Sequence, residues 1–171
     1  MLPTLPPRQI AAGHAEIVKA ALIADAELFS LYETGDVDTV EALRRALLVK
    51  KAVVERDERE GGLRRILNFG HTVGHAIETV TGLLHGECVA VGMIPACSPA
   101  VRARLLPVLT RLGLPTAVNA DPDEVYGILL HDKKAADGKI NFVTVDEPGA
   151  CKQFALSPET LREYIGMVVK R

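Results

Sequence analysis

The chain has 171 residues, of which 48% are hydrophobic and 25% are charged, enough for one sizeable core and too few to divide with assurance into two domains. Its net charge of −2 gives no general attraction to nucleic acid or to an anionic membrane. No apolar run approaches the roughly 18 residues that cross a membrane, and the first residues do not resemble a signal peptide. We therefore expect a single cytoplasmic domain over residues 1–171.

The first half of the chain carries helix signals. Pro6 and Pro7 precede a stretch with apolar residues at helical spacing, which predicts one long helix that reaches about Tyr32. Asp38, followed three residues later by Glu41, is typical of the N-terminus of a second helix.

Three later segments carry an N-terminal helix signal in which a capping side chain precedes a proline. They are Ser98-Pro99, Asp121-Pro122 and Ser157-Pro158. Pro107 should kink or divide the first of these helices, because proline cannot donate the backbone hydrogen bond of a helix interior.

Only one region carries a convincing strand signal. Residues 140–145 and 151–156 flank Glu147-Pro148-Gly149, which predicts a small hairpin. The predicted fold class is therefore mainly α, a multihelical array with a small β-hairpin. The three cysteines form no CxxC pair, and we expect them to be free, small hydrophobic side chains.

The most informative segment is RRILNFGHTVGHAIE, residues 64–78. Wound as one helix, it would place Arg64, Asn68, His71 and His75 within an arc of roughly 60°. A face made only for contact with water would more cheaply consist of Glu, Lys or Gln, since Asn is a poor helix former. The pattern therefore indicates a functional face.

The opposite side of the same segment is apolar and should be buried; it consists of Ile66, Phe69, Val73 and Ile77. The presence of Gly70 and Gly74 inside the predicted helix needs an explanation, because a glycine there costs about 1 kcal/mol of stability relative to alanine. The close approach of another backbone is the reason that we expect.

Residue types alone make a metal site plausible. His71 and His75 are one helical turn apart, which could let both imidazoles reach one metal ion, and His85 follows in the next segment. A HisxxxHis pair by itself is a weak signal. A third histidine, together with a carboxylate from elsewhere in the chain, would complete a site.

Several segments in order resemble 3-dehydroquinate synthase, the metal- and NAD-dependent lyase of the shikimate pathway. They are LPPRQIAAGHAEIVKAALIAD, DEREGG, LNFGHTVGHAIE, HGECVAVGM and HDKKAADGKINFV. Members of that family also carry an α/β NAD-binding domain, whereas this chain has no GxGxxG after a strand. The resemblance therefore implies the C-terminal helical domain, with the NAD-binding domain absent.

The resemblance also implies roles for individual residues. A divalent metal, zinc or cobalt, would be held by Glu16, His71 and His85. His75 would then be an acid/base residue that also contacts phosphate, and Glu60 would match a proposed proton acceptor.

The family's substrate, 3-deoxy-D-arabino-heptulosonate 7-phosphate, carries a carboxylate and a phosphate that require fixed donors. The matching positions are Lys19, Lys50, Arg64, Asn68 and Lys134, the last preferred over Lys133. NAD would bind through a dinucleotide-binding domain on the same or another chain, and the full enzyme is expected to be a homodimer. By itself this chain should be inactive.

Two segments are shorter than the resemblance leads us to expect, one before His85 and one after Gly92. The first of these differences puts the placement of His85 in question. Two alternatives to 3-dehydroquinate synthase remain: another sugar phosphate cyclase, of the 2-deoxy-scyllo-inosose or epi-valiolone synthase type, and a non-catalytic helical domain that binds a metal or a partner. A glycerol-dehydrogenase-like protein is a more distant possibility that would share only the metal-binding arrangement.

Overall fold

Helices make up most of the chain, as the sequence patterns predict. The computed structural model describes residues 4–58, 62–134 and 140–171, with the backbone alone for 131–134. The α-helices are α1 Pro7–Ala24, α2 Ala26–Thr34, α3 Thr39–Arg56, α4 His71–Thr81, α5 His85–Met93, α6 Pro99–Arg111, α7 Pro122–Lys134 and α8 Pro158–Val168, and a 3-10 helix spans Leu63–Asn68. Within these ranges, no helix combines the length and the apolar character needed to cross a membrane.

Helices α1, α4 and α5 form the centre of the hydrophobic core. Helix α5 is buried from Gly86 to Met93, and it packs against both α1 and α4. Most of the second half of α1 is also buried, including Val18 and Leu22. Helix α5 starts at His85, directly before this buried stretch.

The first helix ends earlier than predicted. Instead of one helix that reaches Tyr32, α1 ends at Ala24 and α2 begins at Ala26. The reason is Asp25, whose carboxylate accepts a hydrogen bond from Leu28 N at 3.0 Å and so caps a new helix. The same carboxylate accepts two hydrogen bonds from Arg45 of α3, one of them 2.8 Å long.

We expect Asp25→Asn to lower the free energy of unfolding by about 1–2 kcal/mol at pH 7, because it removes a charged hydrogen-bond partner of Arg45. Partial burial raises the pKa of Asp25, but the hydrogen bonds from Arg45 and Leu28 bring it below its ordinary value of 3.8. The carboxylate's contribution is thus complete above the unfolded pKa and is lost as the pH falls through the lower folded pKa.

Urea unfolding at pH 7 and near pH 3 tests this expectation, with Asp36→Asn, an exposed position, as the control. The difference in the free energy of unfolding between wild type and Asp25→Asn should be smaller at the lower pH. A difference that is the same at both pH values would contradict the assignment.

The remaining helix N-terminal signals act as predicted. The side chains of Asp38, Ser98 and Ser157 each accept a hydrogen bond from a backbone N–H in the first turn of the helix that follows. Asp121 accepts one from Asp123 N at 2.9 Å. Pro107 lies inside α6 without dividing it, since the helix continues to Arg111.

The predicted hairpin is confirmed. Strand β2, Ile140–Glu147, pairs antiparallel with β3, Ala150–Leu156, and Phe142 lies opposite Phe154. A second pairing was not predicted: β1, Val118–Asn119, lies parallel to β4, Val169–Lys170. These two strands have two residues each, too short for an alternating pattern to be recognised.

The three cysteines are free, as expected. Cys88 and Cys97 are buried and Cys151 is half-buried. Burial raises the pKa of Cys88 to about 11 and that of Cys97 to about 12. Both side chains are therefore neutral thiols in the hydrophobic core.

Candidate metal and substrate site

The segment 64–78 is not the single helix that its spacing predicts. Its first part is the 3-10 helix Leu63–Asn68, and α4 starts anew at His71 after a turn at Phe69 and Gly70. Gly70 adopts a left-handed conformation with φ of 76°. A Cβ atom on Gly70 would lie 2.7 Å from Met93 Cγ and 2.9 Å from Val89 O, so both the turn and the packing of α5 require glycine here.

Other glycines bring the backbones of α1, α4 and α5 close together. A Cβ atom on Gly74 would lie 3.0 Å from Cys88 O, one on Gly92 would lie 2.0 Å from Gly70 O, and one on Gly86 would lie 2.0 Å from Ala12 O. The expected close approach at Gly70 and Gly74 is thus confirmed. The predicted apolar face is confirmed as well, since the following side chains are buried: Ile66, Phe69, Val73 and Ile77.

The structure brings His71, His75 and His85 together. The ring centroids of His71 and His75 are 5.1 Å apart, as are those of His71 and His85. One nitrogen from each ring lies within 4.8 Å of the other two. His85 reaches this cluster although only three residues, 82–84, connect α4 to α5, so the short segment before His85 does not displace it.

Glu16 of α1 faces the same cluster. Its Oε1 atom lies 3.4 Å from His85 Nε2 and 3.6 Å from His71 Nε2. The side chain as a whole is 39% exposed, yet Oε1 is covered and has no hydrogen-bond partner among the described residues. A covered carboxylate oxygen without a partner is costly, and a cation bound at this position would offset that cost.

The distances fit a small divalent metal. Ligands 2.0–2.2 Å from a tetrahedral zinc ion lie about 3.4 Å from one another, close to both separations from Glu16 Oε1. The geometry also offers a second donor set, His71, His75 and His85. The unpaired oxygen of Glu16 favours the set Glu16, His71 and His85.

The charges of these groups suit metal binding. Burial raises the pKa of Glu16, but Lys19 and, after it, the two histidines bring the pKa below its ordinary value. Burial, and then the charge of Lys19, lower the pKa of His71 to about 4. At neutral pH the site thus presents an ionised carboxylate and a neutral imidazole, the protonation states that a metal requires.

A cleft of about 620 Å³ opens beside Glu16, and it contains most of the predicted anion-binding residues. Lys19 is buried and its Nζ lies 2.7 Å from Glu16 Oε2. The pKa of Lys19 lies below its ordinary value, mainly because of burial. Glu16 raises this pKa and the charge of Lys50 lowers it further. The predicted residues that line this cleft are Lys19, Lys50, Arg64 and Asn68, together with Glu16, His71 and His85.

His75 lines a neighbouring cleft of about 910 Å³ between α4, α7 and the hairpin. Asn68 and His71 line both clefts. His75 belongs to the histidine cluster but is not among the residues that line Glu16's cleft. Polar residues of this second cleft that the sequence did not single out include Thr72, Asn141 and Gln153. Their only sequence signal was polarity within predicted elements.

Two predicted site residues lie outside what the structure describes. Glu60 falls in residues 59–61, which are outside the described ranges. Lys134 is the last residue of α7, and neither its side chain nor that of Lys133 is among those described.

One residue that contacts the cluster was missed. Glu78 Oε2 accepts a hydrogen bond from His85 Nδ1 at 2.9 Å. A signal was available, because Glu78 follows His71 by seven positions and so lies on the same side of α4.

Solved structures similar to this chain include sugar phosphate cyclases. A 2-epi-5-epi-valiolone synthase from Streptomyces hygroscopicus subsp. jinggangensis 5008, solved with NAD+ and Zn2+ bound, aligns with a TM-score of 0.81 and 28% identity over 95% of this chain and 51% of that chain. A 2-deoxy-scyllo-inosose synthase, solved with carbaglucose-6-phosphate, NAD+ and Co2+, aligns with a TM-score of 0.77 and 24% identity over 95% of this chain and 53% of that chain. The fold is therefore that of a domain of sugar phosphate cyclases.

A family model described as 3-dehydroquinate synthase C-terminal matches residues 13–135, and the chain belongs to this family. A 3-dehydroquinate synthase of Acetivibrio thermocellus is 42% identical over 165 residues, which cover 83% of this chain and 45% of that protein. One from Prochlorococcus marinus (strain MIT 9313) is 43% identical and covers 83% and 44%.

The chain thus spans about half the length of the curated relatives it matches. An alignment of 165 positions that covers only 83% of 171 residues also leaves some positions of the relative without a counterpart here. This agrees with the expectation that parts of the chain are shorter than in the family.

Proposed function

We propose that this chain is the metal- and substrate-binding domain of a 3-dehydroquinate synthase, which converts 3-deoxy-D-arabino-heptulosonate 7-phosphate to 3-dehydroquinate and phosphate. The observation that carries the proposal is the covered, unpaired Oε1 of Glu16, 3.4 and 3.6 Å from the Nε2 atoms of His85 and His71. Relatives at about 40% identity bear this name, which favours it over another sugar phosphate cyclase, whose solved examples are 28% and 24% identical.

Glu16, His71 and His85 would hold zinc or cobalt, the metals bound in the two solved cyclases. Three protein ligands leave a coordination position open, as a catalytic site requires. When bound, the metal would supply Lewis acidity that favours the loss of a proton from a substrate hydroxyl. Lys19 would keep Glu16 ionised and oriented through their 2.7 Å contact.

The cationic residues of the 620 Å³ cleft would bind the anionic groups of the substrate. Lys19, Lys50 and Arg64 line this cleft and supply positive charge, and Asn68 supplies a neutral amide that lines both clefts. Charge-assisted hydrogen bonds from such groups are roughly twice as strong as neutral ones. Lys134 is proposed for the same task on the basis of the family resemblance.

His75 would transfer protons and contact the phosphate. It is exposed at the surface of the 910 Å³ cleft, where a substrate held by Asn68 would reach its ring. A histidine is suited to this task because its ring nitrogens can both accept and donate protons. Glu60 is proposed as a second proton acceptor on the basis of the resemblance.

NAD would be supplied by a dinucleotide-binding domain on the same or another chain, since both solved cyclases were obtained with NAD+. When bound, it would provide the reversible oxidation of a ring hydroxyl. The family resemblance also implies a cytoplasmic homodimer.

We expect the 171-residue chain to bind one zinc ion and to show no synthase activity by itself, because the hydride acceptor would be bound by the other domain. Zinc content by elemental analysis and phosphate release from the substrate are the measurements. Addition of a relative's NAD-binding domain should restore some activity. Glu16→Gln should abolish zinc binding, and zinc retained at the wild-type level in that variant would contradict the proposed ligand set.

A further inference from the structure

His85 makes a contact that the proposed function does not use. Glu78 Oε2 lies 2.9 Å from His85 Nδ1, and the two residues come from the end of α4 and the start of α5. An ionised carboxylate can accept hydrogen bonds but cannot donate them. The imidazole Nδ1–H must therefore be the donor.

This hydrogen bond determines which nitrogen faces the metal site. In a neutral imidazole only one nitrogen carries a proton. With the proton on Nδ1, the lone pair of His85 is on Nε2, the atom 3.4 Å from Glu16 Oε1. His71 follows the same rule, because its Nδ1 donates to Phe69 O at 3.1 Å and its Nε2 lies 3.6 Å from Glu16 Oε1.

The two histidines differ in how firmly their surroundings hold them. The side chain of His71 is 14% exposed and its partner is a backbone carbonyl, whereas that of His85 is 43% exposed. An exposed ring at the first residue of a helix has other rotamers available. Glu78 is therefore the contact that distinguishes the metal-facing orientation of His85 from the alternatives.

Charge supports the same role. Lys19 lies 2.7 Å from Glu16 Oε2 and offsets its charge. Glu78 adds a second carboxylate, which strengthens the donation of electrons from the imidazole that it holds. A divalent cation between Glu16, His71 and His85 would be favoured by the negative charge of Glu78 and by the stronger donation from the imidazole.

We propose that Glu78 is a positioning residue that holds His85 in the Nδ1–H tautomer and directs its Nε2 toward the metal. This inference rests on the proposed function for its metal, but not for the tautomer of His85. Removal of the contact should weaken metal binding about 10- to 100-fold.

Cobalt titration of the 171-residue chain, followed by its visible absorption, measures the metal part of this role, with Glu55→Gln on α3 as the matched control. Glu55 is exposed and pairs only weakly with Lys51, at 3.7 Å. We expect cobalt affinity to decrease in the order wild type, Glu78→Gln, Glu78→Ala, because the glutamine carbonyl can still accept from Nδ1–H. Glu55→Gln should match wild type, and all metal-free variants should unfold at similar temperatures.

Long-range proton–nitrogen NMR of the metal-free chain at pH 8 tests the tautomer separately. Wild-type His85 should carry its proton on Nδ1, and Glu78→Ala should shift it toward Nε2. Wild-type affinity in Glu78→Ala, or an unchanged tautomer, would overturn the role of Glu78. Failure of the wild-type chain to bind cobalt, with the tautomer as expected, would instead overturn the proposed metal site.

Discussion

His71→Ala is expected to remove zinc and activity together, whereas His75→Ala should remove activity and leave zinc in place. The comparison requires a protein that joins this chain to an NAD-binding domain. His71 Nε2 lies 3.6 Å from the unpaired oxygen of Glu16, but His75 lines the neighbouring cleft. Loss of a general acid or base lowers the rate about 10²- to 10⁴-fold, which sets the expected decrease for His75→Ala.

Zinc by elemental analysis, measured on the same samples as turnover, separates the two roles. His85→Ala should behave like His71→Ala, and the exposed Glu55→Gln should change neither quantity. Equal loss of zinc in the His71, His75 and His85 variants would show that the three histidines form the ligand set. The nitrogens of those three rings are close enough together to make that outcome a real alternative.

Gly92→Ala is expected to lower the free energy of unfolding by about 3 kcal/mol or more, at or above the upper end of typical overpacking effects. The added Cβ would lie 2.0 Å from Gly70 O and 2.8 Å from Gly74 N. Both are backbone atoms, so no side-chain rotation can relieve the clash. Helices α4 and α5 would have to separate, and that movement would also disturb His71 and His85.

Gly127→Ala provides the matched control, since Gly127 lies in α7 and an added Cβ would have no neighbour within 4 Å. That variant should be more stable than wild type by about 0.5–1 kcal/mol, because alanine favours a helix. Urea unfolding gives both values. Equal stabilities of the two variants would mean that α4 and α5 are not packed as closely as the structure indicates.

Local sequence signals predicted many of the element boundaries. Asp38, Ser98 and Ser157 cap helices where the sequence placed them, because a cap depends on atoms only two or three residues away. The hairpin of β2 and β3 was predicted because its turn and its two strands are likewise close together in the sequence. Asp25 was missed because apolar spacing continues across it, and its cap is reinforced by Arg45, a residue 20 positions away.

In residues 64–78, the polar residues lie in one region, although the single helix predicted for them is wrong. The sequence grouped Arg64, Asn68, His71 and His75 on one helical face, yet a turn at Gly70 separates the first two residues from the last two. Asn68 and His71 still line the same clefts. The continuous helix from which these residues were selected was wrong, whereas their polarity and the family resemblance do not depend on the helix being continuous.

By itself, the sequence determined the helical fold class, the hairpin, the buried face of α4 and the chemical types available for a metal site, since these follow from spacing and composition along short segments. Only the tertiary structure decided which atoms meet. Glu16 and His71 are 55 positions apart, and their 3.6 Å separation depends on glycines that let α1, α4 and α5 approach backbone to backbone. The same packing of α4 against α5 brings Glu78 to His85, a contact that no local sequence pattern specifies.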